Sequence, residues 1–301
     1  MIKKYITLIF MIIAIPVIAK DKIMVVTTTE DLASIAKSVG GEKIEVVSLS
    51  KGWQDPHLVE PRPSMVMQLR KADLLVKIGM DLDMWIDGLI DAARNKNIVY
   101  GEKGYVDVSV GISVLEKPEG KIDASMGDIH LYGNPHYWLN PENGKVIGKN
   151  ILEGLIRNYP EFKEEFGNNY KKFCAGLDNK IEVWRKRLLP WKNTPVVIYH
   201  QSWPYFSDFA GLKIAATIEP KPGIPPRPAY IRELIQFMKK EKPVMILQEN
   251  FYSEKTGKMI SSETGTPFLI LPPSTGGVKE VKDYAGLFDY IVGEIEKKAA
   301  R

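Results

Sequence analysis

This chain of 301 residues contains four histidines, and their settings suggest what chemistry it could do. His57 lies in QDPHLVEPRPS, residues 54–64; His136 lies in GNPHYWLNP; His200 ends PVVIYH; His130 stands six residues before His136 in GDIHLYG. A neutral imidazole is a good ligand for Zn²⁺ and a poor one for Ca²⁺ or Mg²⁺. Pro56 and Pro135 directly precede two of the rings, and the fixed φ of proline reduces the freedom a side chain loses in holding one direction. A lone loop histidine is more often structural than functional. Three of four in rigid turns or at strand ends, spread over both halves of the chain, suggest one shared site made by His57, His136 and His200. His130 is the leftover of the set.

The elements that must position these residues follow from periodicity. From Lys22, apolar runs alternate with helix-period segments, the pattern of parallel sheets covered by helices. KIMVVTT, KIEVVSL, DLLVKIG and a weaker VDVSV read as strands; EDLASIAKSVG, residues 64–71 and LDMWIDGLIDAAR read as helices. Residues 111–133 show no period and read as a loop. From Pro141 to Leu189 there is no strand signal, and Tyr170, Phe173, Leu177, Ile181, Trp184 and Leu188 mark one face of a long helix beginning at Pro160. Alternation then resumes with PVVIYH, LKIAATI, VMILQEN and PFLIL as strands, and helices near 203–210, 228–240, 253–263 and from Val281 onward. The expected fold is α/β, two lobes each with a roughly four-stranded parallel sheet flanked by helices, joined by one long rigid helix. The expected divisions are a signal peptide at 1–19, an N-terminal lobe at 20–159, a linking helix at 160–190 and a C-terminal lobe at 191–301. In open parallel sheets ligands bind outside the carboxyl ends of strands, where His57 and His200 are expected.

Composition narrows the function classes. MIKKYITLIFMIIAIPVIA carries two lysines, an apolar run and a small-residue end, the pattern of a cleaved secretory signal; a retained anchor is the alternative, although the run is short for a span. The formal charge of +4 loses two with Lys3 and Lys4, and gives no reason to expect nucleic acid as a partner. Cys174 is the only cysteine, so no internal disulfide and no thiolate metal cluster can form, and no cysteine lies near the expected cleavage point to carry a lipid. A periplasmic location is expected, and a monomer.

The segments DPHLVEPRPS, NPHYWLNPENGKVIGKNI, IYHQSWPYF and LQENFYSEKTGKMISSETG together resemble the four regional motifs of the periplasmic zinc and manganese receptors of ABC transporters, in order and at similar spacing. The resemblance spans nearly the whole chain beyond the signal. It implies two α/β lobes on a rigid helix, a metal ion held between them by His57, His136 and His200, and a membrane permease as partner. It implies a binding protein, not an enzyme.

Two departures bear on the metal. Many members carry an aspartate where this chain reads LPPSTGG, residues 271–277, so the fourth ligand is open between Glu249, Glu60, His130 and water. Glu249, at the end of VMILQEN, is the choice, with a role in orienting an imidazole as its alternative; Glu60 is expected to cap a helix. A histidine at 200, where some relatives have glutamate, favours Zn²⁺ over Mn²⁺. Copper also suits imidazole. A zinc hydrolase with three histidines, a bound water and Glu249 or Glu60 as base is the alternative function, and a structural or adhesive protein would need no metal. Trp53, Trp138 and Trp203 could wall the site, and EPKPGIPPRP, residues 219–228, could border the cleft or be a stiff connection.

Overall fold

The computed structural model describes residues 22–118, 130–221 and 223–299. The expected signal peptide and part of the expected loop lie outside these residues. The N-terminal lobe runs β1 (Ile23–Thr27), α1 (Glu30–Gly40), β2 (Ile44–Ser48), α2 (Pro63–Lys71), β3 (Leu74–Lys77), α3 (Asp87–Ala93) and β4 (Tyr105–Asp107). Two helices follow, α4 (Pro141–Asn158) and α5 (Lys163–Leu188). The C-terminal lobe runs β5 (Pro195–Ile198), α6 (Pro204–Ala210), β6 (Lys213–Thr217), α7 (Pro228–Glu241), β7 (Met245–Glu249), α8 (Glu254–Thr264), β8 (Phe268–Leu271) and α9 (Tyr284–Ala299).

All strand pairs are parallel, in the orders β2-β1-β3-β4 and β6-β5-β7-β8. The two sheets thus share one topology although the halves share no sequence repeat. Parallel strands covered on both faces are rich in consecutive apolar residues, and β3 and β7 are buried at every position. In each sheet the order reverses at the first strand, which opens a crevice at its carboxyl end. The loop bearing His200 departs from β5, at the reversal of its sheet, and the loop bearing His57 leaves the carboxyl end of β2, the neighbour of β1.

The long helix expected from Pro160 is present. A separate helix, α4, precedes it, and one 3₁₀ turn at Pro160–Phe162 leads into α5. The two helices run antiparallel, since Glu142 near the start of α4 pairs with Arg185 near the end of α5, and Lys145 pairs with Asp178. Three glycines weaken the helical pattern of α4 in the sequence. They are there for close packing: side chains at Gly144 and Gly154 would collide with Tyr284 and Val106. The 26 residues of α5 extend about 39 Å at 1.5 Å per residue. Its first half packs on the N-terminal lobe, with Lys43 pairing to Glu165 and Phe166 fully buried. Its second half packs on α9, where Trp184 Nε1 donates to Asp289 and Arg187 makes a two-pronged pair with Glu296. A continuous apolar core runs through both lobes along these helices.

A buried polar latch joins the lobes nearer the site. Asp31 in α1 is fully buried; its Oδ1 accepts from Thr275 N at 2.8 Å and Thr275 Oγ1 at 2.9 Å, and Ser274 donates to Oδ2. Trp138 Nε1 donates to Pro273 O at 2.8 Å on the same loop. Position 52 packs so closely on Thr275 that only glycine fits. Burial pushes the Asp31 carboxyl up to about 6 against the opposing hydrogen bonds from Ser274 and Thr275. The folded protein therefore binds this proton more tightly than the unfolded chain. Stability from this group is full below about 4 and is lost as pH rises through 6, on the order of 3 kcal/mol in all. An Asp31→Asn variant keeps an acceptor and removes the charge, so its melting temperature should gain on wild type as pH rises from 4 to 7. A gap between the two that is flat with pH would refute the assignment.

Candidate metal centre

Each histidine is positioned by a loop that leaves a strand or precedes a helix. His57 lies between β2 and α2, His136 lies before α4, and His200 follows β5 by two residues, one turn beyond the strand end expected for it. His57, His136 and His200 each bring a ring nitrogen within 4.8 Å of the others. Their ring centroids are 5.0 to 5.6 Å apart. His136 and His200 are buried and His57 is nearly so.

The local chemistry shows which nitrogen of each ring is free. In Asp55-Pro56-His57 the Asp55 Oδ1 accepts from the His57 backbone N at 2.9 Å and from Nδ1 at 2.8 Å. In Asn134-Pro135-His136 the Asn134 Oδ1 accepts from the His136 backbone N at 2.9 Å and from Nδ1 at 3.0 Å. One tripeptide device is used twice. Proline holds the turn, and the residue before it holds the ring. Asn134 cannot be flipped, because its Nδ2 donates to Glu116 Oε2 at 2.8 Å and to Gln201 O at 2.7 Å. His200 Nδ1 is held at 2.6 Å by Glu219 Oε2, a buried carboxylate from the start of the EPKPGIPPRP segment. The carboxylate oxygens of Asp55 and Glu219 and the amide Oδ1 of Asn134 accept in these contacts, so each ring carries a proton on Nδ1, and in the neutral ring the lone pair is on Nε2. The Nε2 of His136 is buried without a partner, the mark of an atom awaiting a ligand.

Electrostatics keep two of the rings neutral, His136 and His130. Burial first, and then the neighbouring imidazoles, hold His136 well below the ordinary histidine value and His130 down to about 3. Proton competition near pH 6.5 is thus removed from His136. Asp55 is held below the usual carboxylate range: burial opposes ionisation, and the hydrogen bonds and charge interaction with His57 outweigh it.

The remaining expected residues are placed differently. Glu249 ends β7 and stays outside the three-histidine cluster. It is fully buried, neither carboxyl oxygen has a well-formed hydrogen bond, and burial pushes it up to about 8 despite a weak offset from the Ser202 hydroxyl. It is a mostly protonated acid at neutral pH. Glu60 is exposed and does not cap α2, which starts at Pro63 after Arg62 as N-cap and has no side-chain cap. Trp138 and Trp203 are buried, and Trp138 lies 5.3 Å from His136, whereas Trp53 is 60% exposed and walls nothing. Trp85, not singled out in the sequence, clamps the first turn by donating to Pro56 O at 3.1 Å. Asp55, Asn134 and Glu219 are the residues sequence reasoning missed. The repeat of an Asx-Pro-His tripeptide was the signal for the first two; for Glu219 the signal was only its place at the start of the proline-rich segment that could border the cleft.

The comparisons with known proteins bear on the family and the fold. A family model described as ZnuA, zinc-uptake complex component A periplasmic, matches residues 25–298. The manganese ABC transporter substrate-binding lipoprotein PsaA of Streptococcus pneumoniae is 29% identical over 288 residues, 93% of this chain and 89% of PsaA. The metal ABC transporter substrate-binding lipoprotein FimA of Streptococcus parasanguinis is 31% identical over 256 residues, 83% of this chain and 79% of FimA. A crystal structure of ZnuA superposes with a TM-score of 0.77 at 23% identity, covering 93% of this chain and all of that one. The long helix between two parallel four-stranded lobes is thus a shared fold. These relatives are substrate-binding components of transporters, which sets aside the zinc-hydrolase alternative.

The fixed tautomers make a direct test. Long-range proton–nitrogen NMR of the histidine rings should find His57, His136 and His200 protonated on Nδ1, and a proton on Nε2 of His136 would contradict the Asn134 contact.

Proposed function

We propose, for a chain that belongs to the family of periplasmic zinc-uptake complex component A, that it captures Zn²⁺ outside the inner membrane and hands it to the permease of an ABC transporter. The ligands in this reading are the Nε2 atoms of His57, His136 and His200. The observation that carries it is a donor cluster made of imidazoles alone, with no carboxylate within the same reach among the described residues. Mn²⁺, named for the relative PsaA, favours oxygen-rich sites more than Zn²⁺ does, whereas iron, named for MtsA, also suits imidazole. Glu249, the acid expected to supply oxygen, is kept largely neutral by burial. Asp55 and Glu219 instead bring negative charge one bond further out, each through an imidazole, the arrangement that raises ligand basicity in carboxylate–histidine–zinc sites.

The reading includes a protein that works as a monomer after secretion by a cleaved signal, with lobes at residues 20–159 and 191–301 that move little about the linking segment 160–190. The packing of α5 on both lobes and the Asp31 latch support that stiffness. Equilibrium competition with a chelator tests the cargo. Zn²⁺ should bind more tightly than Mn²⁺, and His136→Ala should abolish high-affinity binding. Glu219→Gln should weaken Zn²⁺ roughly 10–100-fold while keeping the fold. A wild-type protein that preferred Mn²⁺, or a His136→Ala variant with unchanged affinity, would end this reading.

A further inference from the structure

Three imidazoles leave a tetrahedral ion one ligand short, and residues 271–277 hold no carboxylate or imidazole to supply it. Ser274 and Thr275 are both engaged by Asp31. Glu60 is exposed; Glu249 and His130 both fall outside the set whose donor atoms all lie within 4.8 Å of one another, but His130 is in direct ring contact with one of that set, His57. We propose that His130 is the fourth ligand, so that the ion is held by four imidazoles. This rests on the three-histidine reading above.

The geometry at His57 carries the inference. The Nδ1 proton of His57 is held by Asp55, so its Nε2 has only a lone pair, aimed where the ion would sit. The Nε2 of His130 lies 3.2 Å from that atom. Two corners of a tetrahedron around zinc with Zn–N of about 2.0–2.1 Å are separated by about 3.3 Å, so the pair already has the spacing of two ligands on one ion. Its ring centroid is 5.2 Å from that of His57, within the 5.0–5.4 Å range of the other two rings around His57. The separation from His136 is longer, 6.4 Å between centroids, so His130 completes the site by a small approach to His136.

The backbone makes this approach feasible. His130 begins a tight turn closed by Gly133 N donating to His130 O at 3.2 Å, with Gly133 at φ +105°, a conformation that glycine tolerates best. Asn134 N then donates to Leu115 O at 2.9 Å, tying the end of the turn to the segment after β4. In its contact with His57 the His130 ring must donate from Nε2–H. To coordinate through Nε2 it carries the proton on Nδ1 instead. The exchange is between tautomers of a neutral ring, so no net proton is released and no charge is added.

X-ray absorption at the zinc edge of the full chain loaded with one equivalent of Zn²⁺, beside chelator competition, tests this. Wild type should fit four imidazole nitrogens, and His130→Ala and His130→Gln should each fit three with an oxygen and lose at least about tenfold in affinity. A wild-type spectrum with three imidazoles and an oxygen, unchanged in both variants, overturns the role of His130 while leaving the three-histidine site standing. If His136→Ala also retained wild-type binding, both readings would fall together. Because the first measurement is on wild type, a variant that folds poorly cannot hide the result.

Discussion

The site depends on hydrogen bonds made by ring nitrogens that face away from it. Imidazole has two nitrogens of comparable basicity, and which one keeps its lone pair is decided by what holds the other. Asp55, Asn134 and Glu219 hold Nδ1 in all three rings, so every lone pair falls on Nε2. Without those partners, three nearby histidines would have no common direction. With them, the cluster is preorganised before any ion arrives, and little rotamer freedom remains to be lost on binding.

Charge is arranged on the same plan. Imidazole rings form the cluster, and two carboxylates stand behind them rather than among them. The acid nearest in expectation, Glu249, is held neutral by the same burial that keeps His136 unprotonated. The loop after β8 does a different job from the one its position suggested: Ser274 and Thr275 satisfy the buried Asp31 and hold the two lobes together. A polar segment next to a metal site can thus be structural, and a proline-rich segment that reads as a plain connector can carry a key carboxylate, Glu219.

Most of the scaffold could be read before folding. Parallel strands buried on both faces are rich in consecutive apolar residues, and MIL of β7 and LLV of β3 are such runs, each ending in polar residues at the carboxyl end of its strand. Helix α4 was not legible because Gly144, Gly148 and Gly154, needed for packing against Tyr284, Phe173 and Val106, erase its propensity signal. The three histidines were legible because proline and strand ends announce rigid positions. Their partners were less so, since a hydrogen bond from residue 200 to residue 219 depends on how a strand and a distant loop are brought together, which no local pattern records. The same holds for the buried state of Glu249, whose role changes with its protonation.

The repeated sheet topology has a consequence for how an ion would be kept. His57 and His136 come from one half and His200 from the other, so neither half alone holds a full chelate. Retention then depends on mechanical stiffness as much as on bond strength. In the proposed reading each ring is backed by the lobe that bears it, and the 26-residue helix α5, packed on both lobes, would resist a change in the distance between them.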